Sequence, residues 1–129
     1  MKTVVDAIII DSDLWILLTR KKDTWILPWW KTNDWEYEID ALFREIWEEL
    51  HWAKLNESTI VPYKTFNWIT PFSWKQVEVK TYFAQLLSWI LSHSGEIEEA
   101  KYIKDFELLK LSSITQEIIS TLIMDWYIK

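Results

Sequence analysis

The sequence predicts an α+β domain in which a sheet is layered between helices, an α/β/α arrangement. Three observations predict it. Val- and Ile-rich runs near the start and middle of the chain have strand character. Two segments, 38–50 and 113–126, carry apolar residues at helical spacing. Strands and helices then follow one another in an order that one layered domain, residues 1–129, accommodates.

Each element has its own justification. Residues 3–10 read as a strand, and 15–20 as its partner after the turn-like Asp11-Ser12-Asp13. Lys21-Lys22-Asp23 is a polar turn before a short strand at 25–27, and 28–35 reads as a loop. In 38–50, Ile39, Leu42, Phe43, Ile46 and Leu50 form the inward stripe, with no strong N-cap to fix the start. Segments 58–69 and 76–88 read as longer strands. In the second, Val77, Val79, Thr81 and Phe83 alternate with Glu78, Lys80 and Tyr82, which gives a sheet with two different faces. Residues 101–104 add a short strand. The final helix turns Ile114, Ile118, Ile119 and Leu122 inward, with Ser112 or Ser113 as its cap.

Composition narrows the function. Half of the 129 residues are hydrophobic, enough for a buried core. The net charge is −6 and the isoelectric point about 4.9, which argues against a nucleic acid polymer as partner. A nucleotide substrate is not excluded, because a bound metal reverses the local sign. There is no cysteine, hence no disulfide framework and no thiolate chemistry. No stretch approaches the roughly 20 apolar residues of a spanning helix, and no signal-peptide layout is seen, so a cytoplasmic location without membrane attachment is expected. The oligomeric state is not legible.

The chemistry concentrates between Glu36 and Glu49. On a helix, Glu45 shares one flank with Glu48 and Glu49, three and four residues on. Like charges crowded together repel. A hard divalent cation, Mg²⁺ or Mn²⁺, supplies a reason to collect them, because carboxylate oxygens suit such ions. A charged helix face serving only solvation explains neither the placement of Glu36 nor the Leu27-Pro28 that precedes it.

Glu36, Arg44, Glu45, Ile46, Glu48 and Glu49, preceded by Ile26-Leu27-Pro28 and Lys31, stand at the spacings of a known signature. The stretch resembles that of the Nudix hydrolases: Gly, five residues, Glu, seven residues, then Arg-Glu-apolar-x-Glu-Glu-x-Gly. The match is strong over 25–53 and general elsewhere. It implies a mixed sheet between helices, the Nudix α/β/α sandwich. It also implies water attack on the diphosphate of a nucleoside diphosphate-linked compound, with a nucleoside triphosphate or similar compact nucleotide favoured by the chain's small size. The resemblance makes Glu45, Glu48 and Glu49 metal ligands, Glu49 the central one, with the carbonyl of Trp30 a further candidate. Glu45 is also the candidate base, and Arg44 a positioning residue that reaches back to Glu36. A further carboxylate on a later loop falls to Glu99, with Glu96 next and Glu98 also in range. Arg20 and Lys31, beside the sheet end and the signature loop, are the cations expected to meet substrate phosphates.

The departures from the signature share one form. Trp29, Trp30 and Trp35 stand where it has glycine, and His51-Trp52 replace the last one. The chain as a whole has 11 tryptophans and 1 glycine, against a usual glycine share of roughly 7%. Trp15, Trp68, Trp74 and Trp126 lie in turn-like contexts. Trp25 alone reads as an ordinary strand tryptophan. Most of these residues are therefore expected to stand in for glycine. Decoding of UGA, which is glycine in some genetic codes and tryptophan in others, is one route. With Trp29, Trp30 and Trp35 in place, the alternative function is a nucleotide-binding module of the same fold without turnover.

Overall fold

The computed structural model describes residues 2–31, 37–50, 53–69, 74–88 and 97–128, with backbone only at Lys2, Glu49 and Ser88. The elements are β1 (Lys2–Ile8), β2 (Ile16–Lys21), β3 (Thr24–Ile26), β4 (Trp29–Lys31), α1 (Glu38–Glu49), β5 (Lys54–Ile69), β6 (Gln76–Ser88), β7 (Glu99–Ile103) and α2 (Ser113–Met124). A single 3₁₀ turn, Phe106–Leu108, precedes α2.

Two sheets form. One has the order β4-β1-β6-β5 and is mixed, since β1 runs parallel to β6 and antiparallel to β4. The other is antiparallel, β3-β2-β7. Residues 15–20 are thus not the ladder partner of the first strand. At the end of β1 the two meet through the Ile10–Ile16 bridge and the bond from Leu17 N–H to the Ile9 carbonyl, 2.8 Å. The expected loop at 28–35 contains the short strand β4, because Val4, Val5 and Asp6 offer an edge that Lys31, Trp30 and Trp29 pair with.

Alternation along β1 separates the core into two halves. Val5, Ala7 and Ile9 face the half that holds Ala41, Leu42, Ile46 and Leu50 of α1. Val4 and Ile8 face the half that holds Ile114, Ile118, Ile119 and Leu122 of α2. The helices therefore lie on opposite sides of the strands. The inward stripe of α1 differs from expectation at one point: Ile39 is exposed and Ala41 is buried in its place. Ser112 caps α2, its Oγ accepting from the Thr115 N–H at 3.3 Å, while Tyr37 at the start of α1 gives no side-chain cap. Among the described residues no helix is long and apolar enough to cross a membrane.

The tryptophans divide into distinct environments. Trp25 is buried in the core, as expected for an ordinary residue. Trp74 and Trp126 instead have φ of 54° and 67°, and both are almost fully exposed. Trp126 sits one residue past the last half-helical position of α2. Its N–H donates to the Ile123 carbonyl at 3.1 Å, and the Tyr127 N–H to the Leu122 carbonyl at 3.0 Å. That is the Schellman pattern, whose left-handed residue is usually glycine. Trp15 does not follow the same logic, since the left-handed residue of its turn is Leu14, with φ 66°. Trp29, Trp30 and Trp68 lie in strands.

Because the Trp126 ring is 91% exposed, truncating it sacrifices little burial. Trp126→Gly is expected to stabilise the fold by about 1 kcal/mol through relief of the left-handed conformation. Thermal unfolding should then shift upward by about 4 °C; an unchanged or lower midpoint contradicts the strain argument.

Candidate functional site

The acidic flank of α1 is positioned by burial of the helix's other side. Leu42, Ile46 and Leu50 are fully enclosed, so Arg44, Glu45 and Glu48 are turned toward the rim. The Glu45 side chain keeps 19% of its exposure and Glu48 57%. One nitrogen of Arg44, Nη1, donates to Glu45 Oε1 at 2.6 Å and to Glu48 Oε2 at 3.5 Å. A single guanidinium thus holds two of the expected carboxylates side by side and offsets their repulsion. The expected reach of Arg44 to Glu36 falls on a position outside the described residues, as does Glu96. The backbone of Glu49 continues α1 on the same flank.

Among the described residues no group of three or more carboxylate or imidazole side chains closes around a metal position. The donor chemistry of the flank nevertheless suits a hard divalent ion, since Glu45 and Glu48 offer only carboxylate oxygens.

Strand β4 brings the signature segment against this helix. Trp30 is buried in the same core half as Ala41, Leu42 and Ile46. Its Nε1 has no hydrogen-bond partner among the described residues, an unmet donor in a closed space. Lys31, next along, is exposed. Glu38, which sequence reasoning did not single out, anchors the start of α1 to the sheet. It accepts from Lys80 Nζ at 2.7 Å and from the Tyr82 hydroxyl. Burial pushes the Glu38 carboxyl up, but these two donors outweigh it and hold it below the usual range, while the Tyr82 phenol is pushed up to about 12 by burial and by Glu38.

Arg20 and Glu99 are brought together, away from α1. Arg20 Nη1 donates to Glu98 at 2.7 Å and to the Lys22 carbonyl at 2.5 Å, and Nε to Glu99 at 3.3 Å. Lys101 Nζ meets the other Glu99 oxygen at 3.0 Å. Both cations also lie over the Trp25 ring, at 6.0 and 5.3 Å. Lys101, aided by Arg20, holds the Glu99 carboxyl below its usual range against the opposing effect of burial. Ala100 and Tyr102 of β7 join the α1 half of the core, whereas Ile103 joins the α2 half. Alternation therefore places Glu99 with Ile103, on the face turned from the acidic flank. The expected later-loop carboxylate, Glu99, is placed with Arg20 and Lys101. Arg20 is likewise committed to its own carboxylates.

A second feature escaped sequence reasoning. Asp6, in the middle of β1, is only 4% exposed. Burial alone pushes its carboxyl well above the usual range, and among the described residues no hydrogen bond or ion pair reaches the side chain. It lines a cavity of about 210 Å³ between the strands and the start of α2, together with Trp29, Trp68, Thr24, Ser112 and Thr115. The only sequence signal was one acid inside Val4-Val5-Asp6-Ala7-Ile8.

No family model matches the chain, and no curated relative matches it. Solved structures do. A NUDIX hydrolase from Nitrosomonas europaea superposes with a TM-score of 0.80 at 17% identity, over 96% of this chain and 89% of that one. The NUDIX domain of Shewanella oneidensis NrtR, complexed with ADP ribose, gives 0.75 at 15%, over 98% and 88%. A bifunctional NMN adenylyltransferase/ADP ribose pyrophosphatase from Francisella tularensis, complexed with AMP and Mn ion, gives 0.74 at 19%, over 96% of this chain and 41% of that larger one. The fold is thus the Nudix fold, as the signature residues implied.

The burial of Asp6 has a pH signature. A carboxyl whose folded pKa exceeds its unfolded value of about 3.9 keeps its proton longer in the folded state. Its contribution is then most favourable at low pH and is lost as pH rises through the folded pKa. Asp6→Leu should stabilise by about 1–3 kcal/mol at pH 8 and by less at pH 4. Urea unfolding at both pH values measures this, and equal effects at the two contradict an unpaired acid.

Proposed function

We propose that the chain hydrolyses a nucleoside diphosphate-linked compound in a divalent-metal-dependent reaction, water attacking phosphorus in the diphosphate. The observation that carries this reading is the Arg44-bridged pair of Glu45 and Glu48 on a helix packed directly over the Trp30–Lys31 strand. It is supported by the likeness to the AMP- and Mn-complexed structure. Glu45, Glu48, Glu49 and the Trp30 carbonyl are the groups to hold Mg²⁺ or Mn²⁺, which when bound neutralises phosphate oxygens and lowers the pKa of attacking water. Arg44 fixes the two carboxylates in register. Glu45, the less exposed of the two, is placed to accept a proton from water. Lys31, on the exposed end of β4, offers a charge to the substrate's phosphates.

The remaining part of the substrate has a place. Trp29 lines the cavity beside Asp6, while the next residue, Trp30, faces the acidic helix. A cavity of about 150 Å³ holds a benzene ring, so 210 Å³ suits a planar heterocycle rather than a whole nucleotide. The base then lies in the cavity, and the diphosphate runs past β4 toward α1.

A nucleotide-binding module without turnover is the second reading. Trp30 favours it, because a large side chain with an unmet N–H fills the segment that is to approach the phosphates. We further propose that most of the tryptophans are decoded from UGA where the native protein has glycine, a reading supported by Trp74 and Trp126 in the left-handed region. UGG codons at positions 29, 30, 74 and 126 of the gene would end that proposal.

Phosphate release from a panel of nucleoside triphosphates, dinucleoside polyphosphates and ADP-ribose, with and without Mg²⁺, tests the enzyme directly. Glu49→Gln is expected to lower metal-dependent turnover by at least about 100-fold while leaving the unfolding midpoint unchanged. Tight nucleotide binding with no release, persisting after glycines are restored at 29, 30 and 35, supports the module instead.

A further inference from the structure

We infer that the cavity beside Asp6 binds one flat ring system that carries an N–H donor, and that Asp6 makes the donor obligatory. For the natural ligand this rests on the nucleotide reading above, in which the cavity holds the base. Any base with an amino or ring N–H group meets the requirement, and a bare ring does not. The walls decide that the ligand is a ring. Val4, Ile26, Val79 and Ile114 line the space with carbon, and Trp29 and Trp68 flank it. The Trp68 ring is pinned by its bond to Ser113 Oγ at 3.0 Å. A cavity of about 150 Å³ takes a benzene ring, so 210 Å³ leaves room for a second small ring fused to the first.

The neighbours of Asp6 decide that the ring must donate. Asp6 is 4% exposed and lines the cavity. In register it stands opposite Trp29 on β4 and Thr81 on β6, whose side chains share its face of the sheet. Thr81 is committed elsewhere: its Oγ1 donates to the Lys64 carbonyl at 2.6 Å and accepts from the Lys64 N–H at 3.2 Å. Thr24 bonds to Asp23 at 3.0 Å, and the Ser112 hydroxyl donates to Thr115 Oγ1 at 2.8 Å. The Lys21 ammonium lies over the Trp29 ring, 5.5 Å from its centre. Among the described residues no hydrogen bond or ion pair reaches the Asp6 carboxyl. A carboxyl oxygen accepts whether the group is ionised or protonated, because the acid keeps its carbonyl lone pairs. The need is therefore an acceptor's need in either form. A ring without N–H seals that oxygen away from every donor, while a ring with N–H aimed at it supplies the missing bond. Positions 29 and 68 set only how much room the ring has.

Indole and indene test this, since they share one bicyclic shape and differ by N–H against CH₂. Titration calorimetry on the parent should show indole bound at least about 10-fold more tightly. Asp6→Asn keeps a carbonyl acceptor and should hold that ratio within about 3-fold. Asp6→Leu should reverse the order, since an all-carbon pocket favours the more apolar ring. A parent that binds indole no better than indene, or that binds neither, overturns the inference, as does a ratio unchanged in Asp6→Leu. Nucleotide hydrolysis by such a parent leaves the nucleotide reading standing without it. An indole preference in a protein that neither binds nor cleaves any nucleotide of the panel keeps the ring site and ends the reading that placed a base there.

Discussion

The structure depends on the register of β1. This strand is buried on both faces, pairs with β4 on one edge and β6 on the other, and decides which residues meet α1 and which meet α2. A slip of one residue exchanges the two sets. It would drive Asp6 into the apolar layer beneath α1 and turn Val5 or Ala7 toward the cavity. Burial of Val5, Ala7 and Ile9 against Leu42 and Ile46 fixes the register at roughly 1.5–3 kcal/mol for each large side chain. The unpaired Asp6 is tolerated because those contacts outweigh it. The same contacts set the rotation of α1, and with it the outward aim of Glu45 and Glu48.

Strand β4 joins the two halves of the proposed site. Adjacent residues in a strand point to opposite faces, so Trp29 reaches the cavity and Trp30 reaches α1. In the proposed reading the base and the diphosphate of one substrate lie on either side of β4. The Arg20–Glu99–Lys101 cluster lies on the other sheet, around the face of Trp25. Its charges compensate one another locally. That is a structural use for residues which, taken from the sequence, read as substrate and catalytic groups.

Much of this is legible in the sequence. Both helices are, because Leu42, Ile46 and Leu50, like Ile114, Ile118 and Leu122, repeat at the spacing burial requires. The long strands are, through alternation in β6. The acidic flank is legible from spacing, since 45 and 48 share a helix face in any packing. What local pattern does not encode is the choice of partners distant in sequence. Pairing of β2 with β7 rather than β1 is one such nonlocal choice. The position of Glu99 follows from that pairing, as does the commitment of Arg20. β4 was missed because a short edge strand of Trp29-Trp30-Lys31 carries no periodicity. Asp6 was passed over because a single acid in an apolar strand looks like an interruption until its surroundings show an empty space.

The tryptophans sort by backbone conformation rather than by burial. Trp25 has the extended geometry, the enclosure and the cationic neighbours that a large aromatic ring uses. Trp126 has none of these, only the dihedral and the paired hydrogen bonds of a helix terminus built for a residue without Cβ. Chain geometry at that point is set by α2 and by Tyr127, whose ring packs against Tyr63 and Phe83 at 5.5 and 4.7 Å. The turn must close there to bring Tyr127 back onto the sheet. The fold thus demands a left-handed residue at 126 whatever the side chain, and tryptophan meets the demand at a cost glycine does not carry. Trp29 and Trp30 present the other case: their strand geometry any residue can adopt, so conformation is silent and the argument passes to space. Trp30 fills the interior with a donor left unmet, and Trp29 narrows the cavity beside Asp6. In the proposed reading Trp29 stands beside the place of the base and Trp30 beside the route of the diphosphate. The choice between the two proposed readings, turnover or binding alone, therefore bears on those two positions as well as on the acidic helix.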